Sequence, residues 1–369
     1  MDCITSSSSN KLQQLNTQSD SKYINEVSNK EMSSLKNSKY MNLDFIERNE
    51  KFKSTFNIIK RIGKGGSSSI YVCNFKNDTK KKIVAKIIKK DSKLYRKLSK
   101  ESFIKFVKNE ILIQSNCRCK YTVAGLGYYI FGEDVSAIMQ EYAPNGSILH
   151  LYENELKKLK IFNNQIRNIN CFSESLTCYI SFAIISALKH LYHLDVLHQD
   201  IKLDNVVVDE RLIVKLTDFS ISVKNNFNDF IYKFSRNGTS GYISPENISC
   251  QYVPIREVYK SDYFSLGVVI FQMIFGYLPF NIDFNDSLDV QLEKMMKNKL
   301  EFDQKLDISE DLKDFLKGVL EFDYKKRFNI ETILTHPWMK KCKLINSTKE
   351  KYMDLHKFLI DLNNDTIFT

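Results

Sequence analysis

The pattern of hydrophobic and polar positions divides the chain into a polar beginning and a longer folded part. Residues 1–50 are rich in Ser, Asn, Lys and Gln and contain only isolated hydrophobic residues. Such a segment buries too little apolar surface to offset the entropy lost on ordering, so we expect a disordered polar leader. From Phe56 onward, hydrophobic runs of strand length and then of helix length follow one another, which predicts that a folded domain begins there.

Runs of β-branched and aromatic residues predict a small β-rich lobe over about 56–142. Turn-forming residues separate the first three runs, which favours antiparallel strands, and one helix and two more strands follow. The predicted strands are 56–62, 69–75, 83–88, 127–131 and 135–142, and the predicted helix is 100–114.

Helical periodicity beyond Asn145 predicts a larger, mostly α lobe over about 144–341. Its longest predicted helices are 176–194, 262–275, 288–299 and 311–320. The polar, Asn-rich stretch 157–174 reads as a surface insertion. Within a C-terminal tail, 343–369, the hydrophobic residues of 349–362 fall on one helical face. The fold class expected is therefore α+β, with two lobes.

One uncharged stretch, 263–280, has the length of a membrane span. Gln272 lies inside it, Pro279 ends it and Asp262 precedes it, and no cluster of positive residues sets an orientation. We expect a buried central helix and no membrane span.

Composition limits the classes of partner. The chain is 43% hydrophobic and 27% charged, with a formal net charge of +10. The lysines are spread along the chain without a zinc-finger or RNA-binding motif, so nucleic acid is not an expected partner. The eight cysteines do not form a dense disulfide framework, and no secretory signal is visible. A cytoplasmic or nuclear location follows as an expectation.

Two features in the β-rich lobe suggest phosphate binding. A Gly-rich turn joins the first two strands, where backbone groups can approach phosphates; it contains Ile62, Gly63, Lys64, Gly65, Gly66, Ser67, Ser68 and Ile70. Lys86 follows Ala85 in an apolar strand, where an unpaired charge is costly. It therefore needs a carboxylate partner, and Glu110 is preferred to Glu101 because hydrophobic residues flank it.

The most specific cluster lies in a loop of the α lobe. His198, Asp200, Lys202 and Asn205 precede a predicted strand pair, and Asp218 follows that pair. Asp200 can accept the proton of a hydroxyl group, and Lys202 can stabilise charge on a transferred phosphoryl group. Asn205 and Asp218 offer oxygen atoms to Mg²⁺.

In order and spacing these motifs resemble the eukaryotic protein kinase family over about 56–341. The resemblance implies a bilobal kinase fold that uses ATP and Mg²⁺, with catalytic Asp200, Lys202, Lys86 and Glu110 and metal ligands Asn205 and Asp218. Backbone groups at Glu141 and Ala143 are implied to bind adenine, with Gln140 guarding the pocket behind it. Glu246 is implied to pair with Arg327. Lys202 and Thr239 resemble the serine/threonine type, which implies protein substrates; the oligomeric state stays open.

Several positions depart from the family pattern. Gln199 stands where an arginine usually binds a phosphorylated activation loop, so little dependence on phosphorylation of Ser235 is expected. Ser220 and Ser244 replace small residues, and Gln114 stands where a hydrophobic residue is usual. Two alternatives stay open: a pseudokinase scaffold that binds nucleotide, and a small-molecule phosphotransferase, which would lack the segment 238–246.

Overall fold

The structure is a computed structural model that describes residues 50–64, 68–92, 95–131, 134–158, 171–225, 230–303 and 306–347. Apart from Glu50, the predicted leader lies outside these residues, and so does the predicted helix at 349–362. The described chain divides into two compact units. The small unit contains 50–118 and 123–142, and the large unit contains 119–122 and 143–347.

The small unit is a five-stranded antiparallel sheet with strand order β1-β2-β3-β5-β4. All five predicted strands are present with small shifts at their ends. The strands are β1 (Phe56–Lys64), β2 (Ser68–Phe75), β3 (Lys82–Lys89), β4 (Gly125–Phe131) and β5 (Val135–Glu141), preceded by helix α1 (Glu50–Thr55). The central strand β3 is buried from Ile83 to Ile88, so both faces of the sheet are covered at this strand.

Helix α2 (Lys100–Asn116) packs on one face of this sheet. It begins at Ser99, whose side chain accepts a hydrogen bond from the backbone of Ser102, as expected for an N-cap. Its apolar face, which includes Phe103 and Val107, joins a buried cluster with Ile138 of β5. Hydrophobic contacts therefore fix the helix to the sheet, and its polar contacts add to them.

The large unit is mostly helical, with short strand pairs near its predicted catalytic loop. Its helices are α3 (Ile148–Lys158), α4 (Glu174–His193), α5 (Pro245–Ile248), α6 (Lys260–Phe275), α7 (Leu288–Lys297), α8 (Glu310–Val319), α9 (Ile330–Thr335) and α10 (Pro337–Ser347). Its strands are β6 (Val196–Leu197), β7 (Val206–Val208), β8 (Val214–Leu216), β9 (Val223–Lys224), β10 (Ile231–Lys233) and β11 (Tyr252–Pro254). Three antiparallel pairs form: β6 with β9, β7 with β8, and β10 with β11.

Helix α6 explains the uncharged stretch that has the length of a membrane span. Every residue of α6 is buried, and the helix ends at Gly276, which adopts the left-handed conformation at φ 78°. Glycine is the residue that tolerates this conformation best. In the described part of the chain, no helix combines the length and the apolar character that crossing a membrane requires.

Two predicted segments of the large unit contain residues that the structure places in the fold. The stretch 157–174 was expected to be a surface insertion. Near its C-terminal end, however, Cys171 and Phe172 are buried, and their backbone N–H groups donate to carbonyl groups of α6. Residues 159–170 lie outside the described chain. The predicted start of the tail at 343 falls inside α10, which packs on α4 and buries Cys342. Sequence periodicity did not show these two tertiary contacts.

Glu174, the first residue of α4, joins three parts of the large unit. Its carboxylate accepts hydrogen bonds from the backbone and hydroxyl of Ser309 (3.0 and 2.7 Å), from Trp338 Nε1 (3.1 Å) and from Lys341 Nζ (3.0 Å). Burial alone would raise its pKa, but the hydrogen bonds from Ser309 and Lys341 lower the pKa of Glu174 below 4.5. The ionised side chain therefore holds α10 and the start of α8 against α4.

We expect Glu174→Ala to lower the free energy of unfolding by about 2 kcal/mol, because it leaves the buried indole N–H of Trp338 without its acceptor. Denaturant unfolding at pH 7 measures this. The lowered carboxyl pKa means that the stabilisation is present above pH 4.5 and is lost as the pH falls further, so the difference between the two proteins should shrink below that pH. Glu293→Ala, at an exposed ion pair, should change the free energy of unfolding far less, because solvent screens that pair. Equal losses in the two variants would contradict the role of Glu174.

Candidate active site

The Gly-rich turn lies at the hairpin between β1 and β2. Gly63 pairs with Ile70 across this hairpin, and a register shift precedes Gly63 on β1. The described strands end at Lys64 and resume at Ser68, and residues 65–67 lie outside the described chain. The structure therefore places the base of the turn, as predicted from the sequence.

Lys86 and Glu110 meet in the interior of the small unit. Lys86 Nζ lies 2.6 Å from Glu110 Oε1, and the two side chains are 4% and 0% exposed. Glu101, the alternative partner, is exposed in the first turn of α2. The predicted pairing with Glu110 is present, and it holds the ammonium group of the central strand in a fixed position.

The end of β5 carries the residues expected to bind adenine. Ala85 of β3 is fully buried and pairs with Met139 of β5. Glu141, the last residue of β5, is held to Ala124 twice: its backbone N–H donates to the carbonyl at 3.0 Å, and its side chain accepts from the N–H at 3.2 Å. Ala143 follows the small unit directly and begins the second segment of the large unit, after the short segment 119–122.

In the large unit, Asp200 is the centre of a dense hydrogen-bond network. Its Oδ2 accepts from Lys202 Nζ at 2.8 Å and from Asn205 Nδ2 at 2.9 Å. Its Oδ1 accepts from the Thr239 hydroxyl at 2.6 Å, and Lys202 also donates to that hydroxyl at 2.7 Å. The structure thus brings together four side chains that are up to 39 residues apart in sequence. Charge-assisted hydrogen bonds of this kind fix a carboxylate firmly.

Asn205 and Asp218 provide oxygen atoms suited to Mg²⁺. Asn205 uses its amide N–H group to bind the backbone and side chain of Asp200, so its amide oxygen is left to serve as an acceptor or ligand. Its carbonyl accepts from the N–H of Thr217, next to Asp218. Among the described residues, no cluster of three or more His, Cys, Asp or Glu could hold a metal. An amide and one carboxylate, completed by phosphate oxygens, nevertheless fit the usual magnesium site.

His198 is buried beneath this network as a neutral side chain. Its Nδ1 accepts from the N–H of Asp200 at 3.3 Å, and its Nε2 lies 3.2 Å from the carbonyl of Thr217. Burial lowers the pKa of His198 to about 4, although the charges of Asp200 and Asp218 act in the opposite direction. A neutral imidazole can accept at one nitrogen and donate at the other, so His198 links the backbone of the loop at Asp200 to Thr217, which follows β8.

Glycine 238 allows the segment that carries Thr239 to approach the catalytic loop. Gly238 has φ 121°, and a Cβ at this position would lie 2.8 Å from the carbonyl oxygen of Gln199. Only glycine satisfies both the backbone angle and the close approach. The sequence singled out Thr239 as a marker of the acceptor class, but its hydrogen bonds to Asp200 and Lys202 were not predicted.

A buried ion pair anchors the end of the same segment. Arg327 donates to both carboxylate oxygens of Glu246, at 2.7 and 3.0 Å, and both side chains are almost fully buried. The guanidinium also donates to the carbonyl of Lys260 and stacks 4.9 Å from the ring of Phe264. The pairing implied by the family resemblance is present, and it joins α5 to α6 and to the loop before α9.

Comparison with known proteins decides the family. A sequence model described as the protein kinase domain matches residues 56–339, more than half of the chain. The chain belongs to the protein kinase domain family. The motif residues described above lie inside this kinase domain, from the Gly-rich turn to Arg327.

The chain is similar over the kinase domain to named kinases of fungi and plants. It is 27% identical over 302 residues to serine/threonine-protein kinase CLA4 of Candida albicans, covering 80% of this chain and 28% of that protein. It is 30% identical over 284 residues to the probable serine/threonine-protein kinase CCRP1 of Zea mays, covering 76% and 40%. It is 27% identical over 311 residues to serine/threonine-protein kinase PKH2 of Saccharomyces cerevisiae, covering 79% of this chain and 26% of that protein. The chain therefore spans less than half the length of these relatives.

Gln199, which the sequence pattern predicts to stand in place of an arginine, has its own hydrogen-bond partners. Its Nε2 donates to the carbonyl of Ile221 at 2.7 Å, and its Oε1 accepts from the hydroxyl of Tyr232 at 3.3 Å. Burial raises the pKa of Tyr232, so its hydroxyl remains a donor. Ser235 is exposed. The neutral amide thus binds two points of the segment after Asp218 without any phosphate group.

Ser220 and Ser244 fit the structure without loss of a polar contact. The backbone N–H of Ser220 donates to Asp218 Oδ1 at 3.2 Å, so the backbone still contacts the expected metal ligand. Ser244 is buried and its hydroxyl lies 2.8 Å from that of Ser261 at the start of α6. Neither serine removes a catalytic group or leaves its hydroxyl in an apolar environment without a partner.

We expect Arg327→Met to lower the free energy of unfolding by about 3–5 kcal/mol, because it leaves the buried carboxylate of Glu246 without its counter-charge. Arg211→Met is the matched control. Arg211 is 69% exposed and lies 3.7 Å from Asp209, so its removal should cost at most about 1 kcal/mol. Chemical denaturation followed by tryptophan fluorescence measures both, since Trp338 is buried in the same unit. Losses of equal size would show that the Glu246–Arg327 pair does not anchor the segment.

Proposed function

We propose that this protein is an active serine/threonine protein kinase, which transfers the γ-phosphoryl group of ATP to Ser or Thr hydroxyls of protein substrates. The observation that carries the proposal is the contact of Asp200 with Thr239. A threonine hydroxyl of the chain itself donates to Asp200 Oδ1 at 2.6 Å. This is the contact that a substrate hydroxyl must make with a catalytic base.

The residues around Asp200 have separate roles in the proposed reaction. Asp200 orients the substrate hydroxyl and accepts its proton as the oxygen attacks the γ-phosphorus. Lys202 lies 2.8 Å from Asp200 and carries positive charge to the place where the phosphoryl group is transferred. Catalysis of this reaction depends mainly on positioning and on electrostatic stabilisation, which this network provides.

Separate groups of residues would bind the nucleotide. Asn205 and Asp218 would hold Mg²⁺, which neutralises charge on the phosphate oxygens when it is bound. Lys86, fixed by Glu110 at 2.6 Å, would bind phosphate oxygens, together with the backbone of the Gly-rich turn. Backbone groups of Glu141 and Ala143 would bind adenine.

Two observations favour transfer to a protein hydroxyl over the alternatives. A pseudokinase has commonly lost one of the catalytic groups, whereas Lys86, Glu110, Asp200, Asn205 and Asp218 are all present here. A small-molecule phosphotransferase would lack the segment 238–246, which is held in this structure by the buried Glu246–Arg327 pair. The relatives named above are described as serine/threonine kinases, which supports the same acceptor class.

The proposal is tested by phosphoryl transfer from radiolabelled ATP with Mg²⁺ to generic protein substrates and to peptides that present Ser, Thr or Tyr. We expect transfer to Ser and Thr peptides. Asp218→Ala and Asp200→Asn should each reduce the rate by at least about a hundredfold, because they remove the expected metal ligand and the base. Chelation of Mg²⁺ should abolish transfer. Asp307→Ala, at an exposed aspartate, serves as the control. Equal background rates for the wild type and both active-site variants would overturn the proposal.

The partners of Gln199 generate a prediction about regulation. We expect Ser235→Ala to change kcat and kcat/KM by less than about twofold, because the amide of Gln199 carries no charge with which to bind a phosphate on the exposed Ser235. Steady-state kinetics before and after phosphatase treatment measure this. A large loss of activity in Ser235→Ala, or on dephosphorylation of the wild type, would contradict the prediction.

A further inference from the structure

Two buried glutamines that lie far apart in sequence meet in the small unit. Gln140 Nε2 donates to Gln114 Oε1 at 2.8 Å, across a separation of 26 residues. Both side chains are buried, with 1% of Gln114 and 6% of Gln140 exposed. A hydrophobic residue was expected at position 114. The structure shows that the polar side chain of Gln114 has a specific partner there, the amide of Gln140.

The position of this pair relates it to the Lys86–Glu110 ion pair. Gln114 follows Glu110 by four residues, which places it one helical turn further along the same face of α2. On the sheet, Lys86 pairs with Ile138, and Gln140 lies two residues further along β5. Residues two apart on a strand share a face. Helix α2 is therefore attached to this face at two polar points, one on β3 and one on β5.

Gly125 of β4 makes room for the amide pair. It pairs with Gln140 in the sheet, and a Cβ at this position would lie 3.3 Å from Gln114 Cγ. The strand register is irregular between Gly125 and Gly127, so β4 bends at this point. Two strands, β4 and β5, thus accommodate the Gln114 side chain.

The amide pair differs from the apolar contact it replaces in being directional. Hydrophobic contacts of α2, such as those of Val107 and Ile113, allow small rotations and shifts of the helix at little cost. A hydrogen bond between two buried amides restricts distance and angle. The Nε2 of Gln114 has no further partner among the described residues, a cost that a purely apolar pair would avoid. The hydrogen bond between the two amides therefore restricts the orientation of α2 relative to β5, and it costs some stability in comparison with an apolar pair.

We propose that the Gln114–Gln140 hydrogen bond positions Glu110, and through it Lys86, for binding the phosphates of ATP. The proposal rests on the proposed kinase function. Gln114 and Gln140 are positioning residues: they fix the turn of α2 next to Glu110 and thereby the angle from which Glu110 meets Lys86. Each amide needs the other, because either one alone is a buried polar group without its partner.

The first test compares Gln114→Leu, Gln140→Leu and the double variant in steady-state kinetics. Each single variant should lower kcat/KM for ATP by about tenfold, the loss expected when one buried amide loses its partner. The double variant restores an apolar contact and should recover most of the activity. KM for the peptide substrate should not change, because both glutamines belong to the small unit and the Asp200 network belongs to the large unit. Wild-type values in both single variants, or a double variant whose loss equals the product of the single losses, would overturn the proposal.

A second comparison separates positioning from a general structural effect. If Gln114 acts through Glu110, then adding Gln114→Leu to Glu110→Gln should cause less than about twofold further loss, since the position of the carboxylate no longer matters. Independent structural damage would multiply the two losses and would refute the proposal. Ser115→Ala is the matched control, because Ser115 is exposed on the same turn of α2.

Failure of the kinase function and failure of this inference give different results. Absence of transfer by the wild type would refute the proposed function, but the same four proteins can still be compared for Mg²⁺·ADP binding by calorimetry. Weaker ADP binding in the single variants, restored in the double variant, supports the amide pair, and equal binding in all four refutes it. Should a leucine variant not fold, Gln114→Met and Gln140→Met remove the amide while nearly preserving side-chain length.

Discussion

The catalytic loop depends on one buried carboxylate, that of Asp262 at the start of α6. Its two oxygens accept the backbone N–H groups of His198 and Gln199, at 2.7 and 2.8 Å. Gln199 has φ 69°, a backbone conformation that non-glycine residues rarely adopt, and this pair of hydrogen bonds holds it there. Burial raises the pKa of Asp262 to about 7, while the two N–H donors favour its ionised form. The orientation of Asp200, the next residue, follows from this anchor.

Hydrogen bonds, a buried aromatic side chain and one ion pair hold the segment after Asp218 in a defined arrangement. Gln199 connects it to the catalytic loop, Phe234 is fully buried, and β10 pairs with β11. Arg236 donates to the carbonyl of Ile248 and to Asp289. Because these contacts need no phosphate group, the geometry around Asp200 exists in the unmodified chain. These contacts connect the uncharged side chain of Gln199 with the proposed independence from phosphorylation of Ser235.

Three pairs of buried polar side chains connect elements within the two units. Lys86 with Glu110 and Glu246 with Arg327 are ionic, and Gln114 with Gln140 is neutral. Removing one member of such a pair costs more than replacing both, since a buried polar group needs a partner. Their value to the protein is therefore geometric: each pair fixes one element relative to another within its unit. The hydrophobic contacts around them supply the larger share of the stability.

The sequence by itself determined the elements and the chemistry that depends on local order. Strand and helix patterns, the spacing of Asp200, Lys202 and Asn205, and the choice of Glu110 were all readable from it, because periodicity and motif spacing are properties of neighbouring residues. Only the tertiary structure decided which distant residues touch. The Gln114–Gln140 bond, the contact of Thr239 with Asp200 and the burial of the residues before Glu174 join segments far apart in the chain. Such contacts arise from the packing of complete elements, and no local pattern records them.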